Sequence, residues 1–364
     1  MEADRRGELA RRLQAAYDRW TAVAFSRHAA AIGLLVLFLA AVYAPWLLSP
    51  EPLGDELVYV RAFHAVAAGR PPTTSGDYLY FPVLALAGAR LEEALGPFPV
   101  LLALRGLNLL GLATALWLSL AWIPIRWRWR LAAAAALGAL APTYRLGMTY
   151  DNLSLASAGM VLAGLLFWSR RPWLCGSLLG LSIAVKPIAP VAVGLLATHR
   201  PERTERTGPL PWAHRWAAGT AFLLSCLLFF GFPYFRDTLA YARPRLAARS
   251  LSWHRLPHIL GFEIDPLLLF VLLAFLFFLF VRSRELSPWL FLAVALTGTL
   301  AATPLVWSHT LLLSLPIQAL SLQVAWWRRQ ERKKEGMHFR AVERFEPMLV
   351  LLAVLALQFS EGAT

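Results

Sequence analysis

The chain has 364 residues, 58% of them hydrophobic and 16% charged, with a mean hydropathy of +0.54. Such values argue against a soluble globular domain, and apolar runs that are continuous rather than alternating argue against a β-barrel. The net charge of +13 does not point to nucleic acid, because the arginines cluster in short stretches between apolar runs, as cytoplasmic loops of membrane proteins do.

Residues 1–28 form a charged N-terminal segment whose Arg5, Arg6, Leu9, Arg12, Leu13 and Ala16 suggest an amphipathic helix on the cytoplasmic membrane surface. The segment is too long and too charged for the n-region of a cleavable signal peptide. Residues 29–364 are expected to form a single all-α membrane domain, a polytopic helical bundle of about 11 transmembrane helices. The expected spans are 29–48, 99–122, 131–147, 153–169, 173–185, 187–198, 217–235, 266–281, 287–302, 309–327 and 346–360. With the N-terminus cytoplasmic, 24 of the 35 Lys and Arg residues fall inside, which fits an extracytoplasmic C-terminus.

Three connections depart from a plain bundle. The first extracytoplasmic loop, 49–98, is long and half-apolar, and the helical spacing of Phe81 to Leu95 suggests that it holds helices lying in the membrane interface. The pair 173–185 and 187–198 is short for two crossings and suggests a hairpin with Lys186 and Pro187 at its tip; such a break is tolerated where it lines a cavity. The cytoplasmic linker 199–216 is rich in Pro, Arg and Glu, and a second extracytoplasmic loop spans 236–265.

This topology gathers the unusual polar residues on one side. Asp55, Glu56 and Tyr59 follow the first span. An acidic pair at a membrane exit is costly unless it holds a cation, binds a substrate or moves a proton. Glu56 also has a plainer reading as a solvated loop acid. Tyr150, Asp151 and Asn152 precede the fourth span, where Asp or Asn also serves as a helix N-cap. Lys186 is the only Lys outside the 333–334 pair, and its alternative is to snorkel to the interface. The loop 236–265 carries Arg249, Trp253, His254, Arg255 and His258, and the next outer turn carries Trp307 and His309. Arg243, Arg245 and Arg249 have a second reading as contacts to lipid phosphates. His254 and His258 are four apart but lack a third ligand, and Cys175 and Cys226 lack metal-ligand spacing; no metal and no cofactor is expected.

These residues resemble the GT-C superfamily of membrane glycosyltransferases, most closely glycosyltransferase family 87, over residues 30–327. The likeness rests on Asp55 and Tyr59 after the first helix, then Gly69-Arg70-Pro71-Pro72 and Tyr78-Leu79-Tyr80-Phe81-Pro82. It continues through Thr149-Tyr150-Asp151-Asn152, the hairpin centred on Lys186-Pro187, and Pro304-Leu305-Val306-Trp307-Ser308-His309. Two stretches depart from the family pattern, Thr-Tyr-Asp-Asn in place of Gly-Gln-X-Asn, and Ser252-Trp253-His254-Arg255 in place of Asn-Gln-Ser. The resemblance implies an inverting, metal-independent transfer of a mannose-like hexose or a pentose from a polyprenyl-phosphate donor to a glycolipid or glycan acceptor at the extracytoplasmic face of the cell membrane. It implies a catalytic role for Asp55, with Glu56 beside it. Lys186, Arg255, His254 and Arg249 are expected at the donor phosphate. Tyr59, Tyr150, Asn152, Trp253, His258, Trp307 and His309 are expected at the substrates. Membrane lipids and other envelope-biosynthesis proteins are the further partners to expect. The competing reading is a flippase for lipid-linked sugars or a small-molecule transporter, which would call for inverted repeats or paired broken helices; neither is visible in the sequence.

Overall fold

A computed structural model describes residues 25–76, 82–121, 125–149, 153–167 and 171–186, together with single positions such as Tyr78, Ile123, Tyr234, Leu315, Ala319, Gln323 and Trp327. Helix dominates the described residues, and no strand occurs among them.

Helix α1 (Phe25–Val42) is built almost wholly of Ala, Leu, Ile, Val and Phe and stops two residues before Ala44 and Pro45 open the single turn α2 (Ala44–Leu47). Helix α3 (Asp55–Ala67) follows Gly54, whose φ of 53° and ψ of −123° suit only glycine. A 3₁₀ turn (Pro72–Ser75) leads to α4 (Pro82–Leu95), and α5 (Pro97–Leu120) is the longest helix described. Then come α6 (Trp127–Leu140), α7 (Pro142–Thr149), α8 (Ser154–Leu166) and α9 (Pro172–Val185).

Several of the stretches expected as spans are helical, with altered ends. The run 131–147 is not one helix: Pro142 divides it into α6 and α7, because proline lacks the N–H that a continuing helix needs. The long first loop was expected to hold helices, and it holds α3 and α4, of which the stretch after Phe81 is α4. Helix α9 ends at Val185, so Lys186 does stand where the helix stops. Two described helices, α1 and α5, are long and apolar enough to cross a membrane, and α8 and α9 contain shorter apolar stretches. The expected spans 187–198, 217–235, 266–281, 287–302 and 346–360 lie outside the described residues. Of the span 309–327, Leu315 and Ala319 enter the main core with Trp327 packed against it, and Gln323 is buried, all on one i, i+4 face.

Helix α5 is the centre of the packing and lies against α1, α6 and, most extensively, α8. The α5–α8 crossing is close because two glycines meet there. A Cβ on Gly159 would lie 2.5 Å from the Cα of Gly111, and one on Gly111 would lie 2.3 Å from the carbonyl oxygen of Leu155. Small residues at such a crossing let backbones approach and multiply van der Waals contact, the main attraction available where lipid removes the hydrophobic drive. Asn108 stitches the same region. Its Nδ2 donates to the Gly147 carbonyl (3.3 Å), and its Oδ1 accepts from the Ala156 N–H (3.1 Å), joining α5 to α7 and α8.

The contacts define two ends of the molecule. At one, the Trp117 indole N–H donates to Nδ1 of His28 (3.0 Å), and Phe25 packs on Phe167 with ring centroids 5.4 Å apart. At the other lie the end of α1, α2, the start of α3, the N-terminal part of α5, and the α7–α8 and α9 termini.

Candidate functional site

The second end carries the described part of the expected site. Asp55 and Glu56 form the first turn of α3, where the helix dipole favours negative charge. Their neighbours in space come from distant parts of the chain. A compact apolar cluster there contains Tyr59 of α3, Tyr78, Ala85 of α4, Leu104 of α5, Leu153 before α8 and Val185 at the end of α9. The chain around α3 and α4, Leu153 ahead of α8 and the end of α9 beside Lys186 are thus assembled around one core.

Lys186 is only 6% exposed. Its backbone N–H closes α9 by donating to the Ser182 carbonyl (3.0 Å), and the same carbonyl accepts from Ser157 Oγ of α8 (3.0 Å). That shared acceptor ties the end of α9 to α8. Burial pulls the pKa of the Lys186 ammonium down to about 7, and the nearby Asp55 carboxylate opposes that by favouring the charged form. Two residues predicted to act together are brought together, with Asp55 half-buried.

Glu56 has another role. It is 0% exposed, as is Arg105 of α5, and the two make a double hydrogen bond: Nε donates to Oε1 (2.7 Å) and an η-nitrogen to Oε2 (2.6 Å). Arg105 also donates to the carbonyls of Leu47 (3.2 Å), Ser49 (2.5 Å) and Glu51 (2.9 Å), so its five N–H donors serve five bonds. Its guanidinium lies over the Trp46 ring, 5.2 Å from the centroid, and Oε2 of Glu56 also accepts from the Leu53 N–H (2.9 Å). Glu56 is therefore not a solvated loop acid, and its two carboxylate oxygens are engaged by Arg105 and the Leu53 N–H. It anchors the segment 47–56, and with it the start of α3, to α5.

Tyr59, expected at the substrates, is fully buried, its ring edge-on to Tyr78 with centroids 6.4 Å apart. In this arrangement it builds the wall of the site rather than a surface on which a sugar could stack. Burial also pushes the Tyr78 phenol above its ordinary range, so Tyr78 stays protonated. Farther along the loop, His64 Nε2 and Glu92 Oε1, 2.7 Å apart, join α3 to α4, and Gly88 leaves room for the Phe63 ring. Tyr150, Asn152, Arg249, Trp253, His254, Arg255, His258, Trp307 and His309 lie outside the described residues.

Arg105 and Asn108 were missed by the sequence reading. The signal was present, because an Arg and an Asn inside the apolar run 99–122 are costly unless partnered. No family model, curated protein or solved structure matches the chain.

Proposed function

We propose that the chain is a membrane glycosyltransferase that moves a sugar from a polyprenyl-phosphate donor to a hydroxyl of a glycolipid or glycan acceptor on the extracytoplasmic face. The observation that carries this reading is the electrostatic proximity of Asp55 to the buried Lys186, on elements far apart in sequence. A carboxylate and a cation in one partly dry site are the two groups that such a transfer needs.

Asp55 takes the proton of the acceptor hydroxyl as its oxygen attacks the anomeric carbon. The bond from that carbon to the phosphate oxygen breaks on the opposite side, and the electron pair leaves with the polyprenyl phosphate. Attack from behind the leaving group inverts the anomeric centre. Lys186 stabilises the charge that develops on the phosphate, an effect strengthened where water is excluded. Before donor binds, Lys186 balances Asp55. A donor phosphate competes for the ammonium and leaves the carboxylate to the acceptor. Arg105 and Glu56 take no part in bond making; they hold the start of α3, and so Asp55, in place.

The test is transfer from a synthetic polyprenyl-phosphate sugar by protein reconstituted in liposomes, with wild type against Asp55→Asn. Turnover by wild type and its loss in the folded variant support the reading. Equal turnover in both would sink Asp55 as base, and donor-independent movement of solute across the liposome would favour transport.

A further inference from the structure

Beyond the C-terminal end of α5, remote from Asp55, the chain reads Ile125-Arg126-Trp127-Arg128-Trp129-Arg130. Arg130 is committed to the fold. It is half-buried, donates to the carbonyls of Ile123 (3.3 Å) and Ile125 (3.2 Å), and lies over the Trp117 ring at 5.5 Å. Arg126, Trp127, Arg128 and Trp129 are turned outward, with Trp127 56% and Trp129 70% exposed. Arg128 lies over the Trp127 ring at 5.8 Å, and Arg126, Arg128, Trp129 and Ala132 line a shallow hollow. No acidic residue occurs between Glu93 and Asp151, so no nearby carboxylate in sequence competes for these guanidiniums.

Two exposed indoles are poorly placed in bulk water but well placed at the headgroup level of a bilayer, where one side of the ring is apolar and the other wet. Two exposed guanidiniums beside them present planar donor forks that match phosphate oxygens. A nucleic-acid or acidic-protein partner would satisfy the arginines but not the exposed indoles at the end of α5, a helix long and apolar enough to cross a membrane. We infer that this turn is a binding site for the headgroup phosphate of an anionic phospholipid, with Arg126 and Arg128 on the phosphate and Trp127 and Trp129 at the glycerol level. This inference does not rest on the transferase reading.

The test is native mass spectrometry of the detergent-solubilised protein titrated with dioleoyl phosphatidylglycerol, dioleoyl phosphatidylcholine and inorganic phosphate. Phosphatidylglycerol is expected to bind more tightly than phosphatidylcholine, by roughly 25-fold at about fivefold per arginine. Arg126→Gln with Arg128→Gln should remove that preference, and Trp127→Ala with Trp129→Ala should weaken both lipids. A preference that survives the glutamine pair, equal binding of the two lipids, or inorganic phosphate binding as tightly as phosphatidylglycerol would each overturn the proposal. Should the glutamine pair lose its fold, the wild-type comparison of the three probes still decides.

Discussion

Arg105 and Glu56 meet in a fully buried double hydrogen bond that joins α5 to the start of α3. A buried ion pair gives little net stability over apolar packing, because both charges lose water, yet removing one partner strands the other. Arg105→Ala is therefore expected to destabilise the protein by about 3–5 kcal/mol. Arg105→Gln with Glu56→Gln should recover only part of the loss, because the carbonyls of Leu47, Ser49 and Glu51 still lose donors. Thermal unfolding in detergent measures both; a full recovery by the double variant would show that the loop carbonyls contribute nothing.

The glycines of α5 should divide sharply. Gly111→Ala would force a methyl into the backbone of α8, and overpacking of this kind costs about 1–3 kcal/mol or more. Gly106→Ala meets nothing within 4 Å on the same helix, and it should hold or raise stability by about 0.5–1 kcal/mol, because alanine loses less backbone entropy than glycine. Unfolding temperatures of the two single variants check the contrast. Similar losses in both would mean that the α5–α8 crossing is not as close as described.

Helical class and the positions of α1, α5 and α9 could be read from apolar run length alone, because a helix that must bury its backbone polar groups needs such runs. Pro142 was a visible breaker within the run 131–147, and its cost outweighs hydropathy, which is why two helices replace one. The proximity of Asp55 and Lys186 agrees with the arrangement expected from the sequence, in which both lie on one side of a helical bundle. What could not be read was the division of labour between adjacent acids. Asp55 and Glu56 are equivalent in sequence, and only the arrival of Arg105 from α5 separates them. Likewise, Tyr59 carries the same hydroxyl whether it faces a sugar or a wall, and packing against Tyr78 decides for the wall.

Asn108 should tolerate little change. Asn108→Leu fills a similar volume but leaves the Ala156 N–H and the Gly147 carbonyl without this partner, at about 1–3 kcal/mol for each buried group. Asn108→Asp keeps the acceptor for Ala156 and loses the donor to Gly147, while adding a buried charge, so it is expected to be the worse of the two. Expression and unfolding temperature of the pair test the order; a stable aspartate variant would indicate that water reaches this position.

Lys186 offers the sharpest test of the proposed chemistry, because its charge and its packing can be separated. Lys186→Met keeps the length of the aliphatic stem within the buried tip, where Ser157 and Ser182 hold the backbone without using the side chain. The fold should persist, since the substitution removes a buried charge rather than stranding one that is fully shielded, and Asp55 is only half-buried. Transfer should fall by roughly 30- to 1000-fold in kcat/KM, the scale of losing a desolvated charge contact of about 2–4 kcal/mol. The loss should appear for the phosphate-bearing donor, with the KM of the acceptor nearly unchanged. Lys186→Arg should restore part of the activity, because the charge returns while the planar guanidinium fits a narrow buried site poorly. Steady-state kinetics with donor and acceptor varied independently distinguish these outcomes. A defect confined to the acceptor would move the phosphate away from Lys186 and place it among the residues of the outer loops.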